Sequence, residues 1–135
     1  MLTSEESKND VPRPQHYLKL INDTDRKLKL EWKGDIDQSN VTVPSELNPG
    51  DADEKDSKRT SDASFIVDIY RWKDSSYIYS GQLTEHVHGR VYSSEETYYL
   101  KLESFPDRNQ IQLIKKSEVD ETEHTIINTF SEDEW

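Results

Sequence analysis

Apolar and polar residues alternate along much of this chain with a period of two, the spacing of a strand that buries one face. Leu28-Lys29-Leu30-Glu31-Trp32-Lys33 carries the pattern without interruption: Leu28, Leu30 and Trp32 face a core, and the charged residues face water. The longest run is Phe65-Ile66-Val67-Asp68-Ile69-Tyr70-Arg71-Trp72, followed after Lys73-Asp74-Ser75-Ser76 by Tyr77-Ile78-Tyr79-Ser80-Gly81-Gln82-Leu83. β-Branched and aromatic residues fill both halves and the join is polar, which predicts a β-hairpin. With 73–76 as the loop, Trp72 lies opposite Tyr77, Tyr70 opposite Tyr79 and Ile66 opposite Leu83. Phe65, Val67, Ile69 and Ile78 then share the other face, so one face is aliphatic and one aromatic. This hairpin is expected to be the central pair of a sheet.

Shorter strand-like runs follow the same rule at 17–21, 41–43, 86–92, 97–102, 110–115 and 125–130. Polar turns separate them, among them Asn22-Asp23-Thr24-Asp25, whose short side chains bond to nearby backbone groups. No stretch keeps a helical period. About eight such strands predict an all-β fold, a single-domain antiparallel β-sandwich; a closed β-barrel is the competing way to bury them. The sandwich is expected over 15–130, with a flexible lead-in over 1–14 and an acidic tail over 131–135. Residues 44–63, rich in proline, glycine and charge, predict a long loop, and loops of that length are usually functional or disordered.

Composition narrows the function. At 135 residues the chain is long enough for one real core, and thirteen aromatics offset a hydrophobic fraction of only 31%. The net charge of -11, from 28 acidic and 17 basic residues, repels nucleic acid and anionic lipid and steers basic partners. The same charge also keeps sheet edges from aggregating. The lack of cysteine removes disulfides, zinc–thiolate sites and thiol nucleophiles, and favours a reducing compartment. The acidic first residues hold no apolar run, and no segment approaches the ~18 apolar residues that cross a bilayer. A cytoplasmic location is expected, or a secreted one if a leader has been removed. Asn22-Asp23-Thr24 and Asn40-Val41-Thr42 fit the N-glycosylation pattern, which matters only in a secreted chain.

The motifs of catalysis are missing. With glycine only at 34, 50, 81 and 89, no phosphate-cradling or dinucleotide-binding loop can be written, and no Gly-x-Ser-x-Gly elbow occurs. No enzyme activity and no cofactor are expected. His86 and His88 share a strand face and can ligate a metal if His16, His124 or Glu85 joins them; two surface histidines are the alternative. Asp51, Asp53, Glu54 and Asp56 crowd carboxylates as calcium sites do. Lys55 stands at a ligand position and no glycine follows, so the EF-hand pattern fails and a solvated loop is the alternative.

The aromatic face is the most informative feature. Tyr70, Trp72, Tyr77 and Tyr79 form two cross-strand pairs that either fill the core or stay exposed as a binding platform. The aliphatic face can fill the core unaided, which leaves the platform open. Trp135 ends the acidic tail and is either a solvated end or the indole anchor of a segment that a basic groove captures.

Asn22, Thr24, Leu28, Trp32 and Gly34, followed by Pro49-Gly50 and Ser64-Phe65, resemble the aegerolysins over about the first half of the chain. That resemblance implies a small acidic β-sandwich that binds membrane lipids, in some members alongside a larger pore-forming partner. It carries no site residues, and the glycines and cysteines frequent in that family are lacking. Three functions follow. The first is a non-catalytic module, of inhibitor, immunity or adaptor type, that engages a protein partner with a basic surface through acidic residues and exposed aromatics. The second is a lipid- or glycan-binding sandwich using the aromatic face. The third is an acidic mimic of nucleic acid, set back because the acids interleave with lysines; direct nucleic-acid binding is not expected.

Overall fold

The computed structural model describes residues 16–34, 45–57, 62–87, 94–120, 122 and 124–135. The lead-in, the expected strand at 41–43 and the part of the 86–92 strand beyond Val87 lie outside them. Among the described residues there are nine strands: β1 (His16–Asp23), β2 (Leu28–Gly34), β3 (Ser45–Leu47), β4 (Ala52–Asp56), β5 (Ala63–Lys73), β6 (Ser76–Val87), β7 (Ser94–Phe105), β8 (Gln110–Ser117) and β9 (His124–Ser131). They form a five-stranded sheet ordered β4-β1-β7-β8-β9 and a four-stranded sheet ordered β3-β2-β5-β6. The sheets pack face to face as a sandwich around Leu18, Leu20, Leu28, Leu30, Phe65, Val67, Ile69, Leu83, Leu100 and Leu113. Burying each such side chain contributes about 1.5–3 kcal/mol.

The barrel does not form, although both pairs of sheet edges come close. On one side Asn128 Nδ2 donates to the Ser80 carbonyl at 3.0 Å, and a side chain at Gly81 would meet Ile127 Cγ2 at 2.8 Å. On the other side Ser45 Oγ and Trp32 Nε1 both donate to Asp53 Oδ2, the indole at 2.9 Å. Side chains rather than backbone ladders span these edges, so the sheets remain separate.

Several expectations need correction. Residues 44–63 are not one loop: β3 and β4 lie inside, pairing with β2 and β1. Both are edge strands held by backbone hydrogen bonds, so their polar sequences show no alternation. The pairing is not wholly antiparallel, because β1 runs parallel to β7. The central hairpin turns on two residues, Asp74 and Ser75, both at positive φ (52° and 65°), which matches the right-handed twist of the strands. Trp72 faces Tyr77 and Tyr70 faces Tyr79 as expected, but a bulge near Ser80 shifts the rest. Leu83 consequently faces Val67 and Ile66 faces Thr84. Ile78, expected in the core, is partly exposed near the hairpin end. The last residues are not a free tail either: Ser131 completes β9 and Trp135 is only 4% exposed.

The turn after β1 works as its sequence suggests. Asn22 Nδ2 donates to the carbonyls of Arg26 and Leu47, both at 2.9 Å, while Asn22 Oδ1 accepts from the Thr24 amide at 3.0 Å. The Asn22 amide is fully buried and committed to these bonds, which closes the first glycosylation pattern.

Candidate binding surface

Alternation along β5 sends Phe65, Val67, Ile69 and Arg71 inward, and Ile66, Asp68, Tyr70 and Trp72 outward. The four aromatic residues therefore lie on the outer face of the four-stranded sheet, with Trp72 40% and Tyr79 52% exposed. The rings pack edge to face: Trp72 and Tyr77 at 4.9 Å and 70°, Tyr70 and Tyr79 at 5.6 Å and 73°. Such contacts add about 0.5–1.5 kcal/mol per pair beyond burial. β2 and the residue before it supply cations alongside. Lys29 Nζ is 4.5 Å from the Tyr70 ring centre and 5.1 Å from that of Tyr77, and Lys27 Nζ is 5.5 Å from Trp72.

Carboxylates fix the strip from its margins. Tyr77 donates to Glu46 Oε1 at 2.8 Å, and burial together with that carboxylate raises its phenol to about 12. Burial and the neighbouring Glu31 also raise the Tyr70 phenol. Both hydroxyls are neutral donors at ordinary pH. Further along the face, Asp68 accepts from Lys33 at 2.5 Å and Gln82 at 2.8 Å, and the Lys33 bond holds its carboxyl below the ordinary range.

The other sequence candidates do not come together. Asp53 is committed to Trp32, Ser45 and, at 3.5 Å, Lys55; Asp51 accepts from the Asn48 amide at 3.0 Å. Alternation in β4 turns Asp56 to the face opposite Asp53. Among the described residues no three histidine, aspartate or glutamate side chains gather as metal ligands. His86 Nδ1 lies 2.7 Å from Ser64 Oγ, and His88 lies outside the described residues. Trp135, the other proposed anchor, is inserted into its own protein. Its ring packs on Phe130 at 5.5 Å and its indole N–H donates to Asp25 Oδ1 at 2.8 Å.

Two inward-facing charged groups, one at each pole of the sandwich, escaped the sequence reading. At one pole Lys115 pairs with Glu85, and Tyr98 Oη lies 3.0 Å from both Glu85 Oε1 and Glu96 Oε2. Burial raises the Glu96 carboxyl and, with the two carboxylates, the Tyr98 phenol. A cavity of about 340 Å³ opens here, lined in part by Glu85, Glu95, Glu96 and Glu118. At the other pole Arg71 is 5% exposed, its guanidinium 4.7 Å from the Phe130 ring centre and 5.4 Å from that of Trp135. The signal for both was alternation itself: Leu83-Glu85-Val87, Leu113-Lys115-Ser117 and Ile69-Arg71 each place a charge in an inward register.

The chain matches no known protein family, and no curated protein is significantly similar to it in sequence. The resemblance to the aegerolysins gains no support from these comparisons. No helix among the described residues is long and apolar enough to cross a membrane.

Proposed function

We propose that this protein is a non-catalytic binding module that engages a protein partner through the strip of Tyr70, Trp72, Tyr77 and Tyr79. The observation that carries this reading is the 40% and 52% exposure of Trp72 and Tyr79 on a sheet whose opposite face already fills the core. Tyr and Trp in such positions dominate interface energetics, because they bury large areas at small entropic cost. The edge-to-face stacking favours a protein over a glycan. It presents ridges and notches that side chains fill, where a sugar chain stacks best on coplanar rings. The net charge of -11 on the whole chain accelerates encounter with a basic surface, and Glu31, Glu46 and Asp68 lie beside the strip.

The test is capture from a host lysate, membranes included, by tagged parent and Trp72→Ala proteins, washed at low and then high salt. Loss of a partially exposed side chain is expected to leave the fold intact. A protein retained by the parent, released by salt and absent with Trp72→Ala supports the reading. Equal capture by both proteins, or recovery of lipid or glycan alone, rejects it.

A further inference from the structure

We propose that the Arg71 pole is a binding site for an acidic peptide segment bearing an aromatic residue, and that residues 132–135 are its resident, displaceable occupant. This site is separate from the outer strip. It gathers three cations, Arg26, Arg71 and Lys73, in a strongly acidic chain. Burial, and then the neighbouring Arg26, lower the affinity of Arg71 for its proton.

The resident segment satisfies these cations incompletely. Arg71 donates to the Glu134 carbonyl at 2.6 Å and to Ser80 Oγ at 3.0 Å; Lys73 Nζ donates to the carbonyls of Asp133 at 2.8 Å and Glu134 at 2.7 Å. These acceptors are neutral. The Glu134 carboxylate accepts the Ser131 amide at 2.8 Å and acts on Arg71 and Lys73 only through space, with no direct ion pair to either among the described residues. Arg71 Nε and Arg26 Nε are both buried with no hydrogen-bond partner among the described residues.

Charge-assisted bonds from guanidinium to carboxylate are about twice as strong as neutral ones, and a buried cation without a counter-ion is costly. A peptide that places a carboxylate against Arg71 gains what the resident segment lacks. The indole seat between Phe130 and Arg71, filled by Trp135, defines the aromatic part of the ligand.

The probe is a labelled, end-capped peptide, Ser-Glu-Asp-Glu-Trp, titrated by fluorescence anisotropy. Trp135→Ala frees the seat and is expected to bind it about tenfold or more tightly than the parent, since the parent's site is occupied. Binding should weaken with salt and with the neutral peptide Ser-Gln-Asn-Gln-Trp, which keeps the carbonyl bonds but not the charge, and should be lost in Trp135→Ala/Arg71→Gln. Equal binding of the neutral peptide, undiminished binding by the double variant, or no binding by a folded Trp135→Ala overturns the proposal. If Trp135→Ala does not fold, hydrogen exchange on the parent decides. Excess acidic peptide should speed exchange of the Glu134 and Trp135 amides, which bond to the Ser131 carbonyl. Unchanged exchange at the highest soluble concentration overturns it.

Discussion

At one pole of the sandwich a lysine is buried among glutamates; at the other an arginine is buried between aromatic rings. Both groups sit on inward positions of strands, where a low dielectric makes an unpaired charge costly. The Lys115 pole answers that cost with opposite charge: Glu85 takes the ammonium, and Tyr98 ties Glu85 and Glu96 together across the two sheets. The Arg71 pole answers it with carbonyl dipoles and ring faces, and leaves a guanidinium N–H without an acceptor. The first arrangement is closed, and removing any member breaks it. The second is held by residues 132–135 through carbonyls and one indole, and is open to something better. A buried charge therefore does not by itself mark a stabilising feature; its counter-charge decides.

The sharpest way to break this contrast is Lys115→Met. It strands Glu85 beside Glu96 without a cation, and a loss of about 3 kcal/mol is expected in urea denaturation. Glu85→Gln added to it should recover part of that loss.

The pH dependence comes next, through Glu96. Its carboxyl is raised, so the folded state holds the proton better than the unfolded chain does. Its stabilising contribution is complete below the unfolded carboxyl range and vanishes as pH rises through the raised value. Glu96→Gln should abolish that fall. Asp68 on the outer face has the opposite sign. Its depressed carboxyl contributes above the unfolded value and loses that contribution as pH falls through the folded one. Thermal melts of Glu96→Gln and Asp68→Asn across pH separate the two.

Arg71→Met should change stability by no more than about 1 kcal/mol, because it removes a buried charge that has no direct ion pair among the described residues. A loss as large as that of Lys115→Met would erase the distinction between the poles. The smallest effect is expected at the surface. Lys101→Met breaks the exposed 3.3 Å pair with Asp23 and should cost about 0.5 kcal/mol or less in the same denaturation.

Much of the fold was legible where one face of a strand is buried, because alternation then records the register. Leu28-Leu30-Trp32 and the Trp72–Tyr77 and Tyr70–Tyr79 pairs follow from it directly. It failed where burial is not the cause of the strand. β3 and β4 offer few apolar residues to count, since backbone pairing with β2 and β1 makes them strands. The bulge at Ser80 was hidden because a one-residue insertion leaves composition unchanged while moving every later partner. The outer strip could be listed from sequence, but its exposure depended on how the second sheet packs. The charged poles were missed because residue type was weighed above position: Arg71 and Lys115 stand in core register but drew no reading, and Glu85 drew one only as a metal ligand.

The parallel pairing of β1 with β7 has a consequence for the order in which the chain assembles. His16 lies beside Ser94 and Asp23 beside Lys101, so the first described strand waits for one made much later in synthesis. The hairpin of β5 and β6 needs only its own short turn. Contacts between distant residues carry the larger loop-closure cost and slow folding. β1 can pair with β4 first, but the five-stranded sheet cannot close until β7 has been made, and until then Leu18 and Leu20 stand open to a chaperone or to another nascent chain.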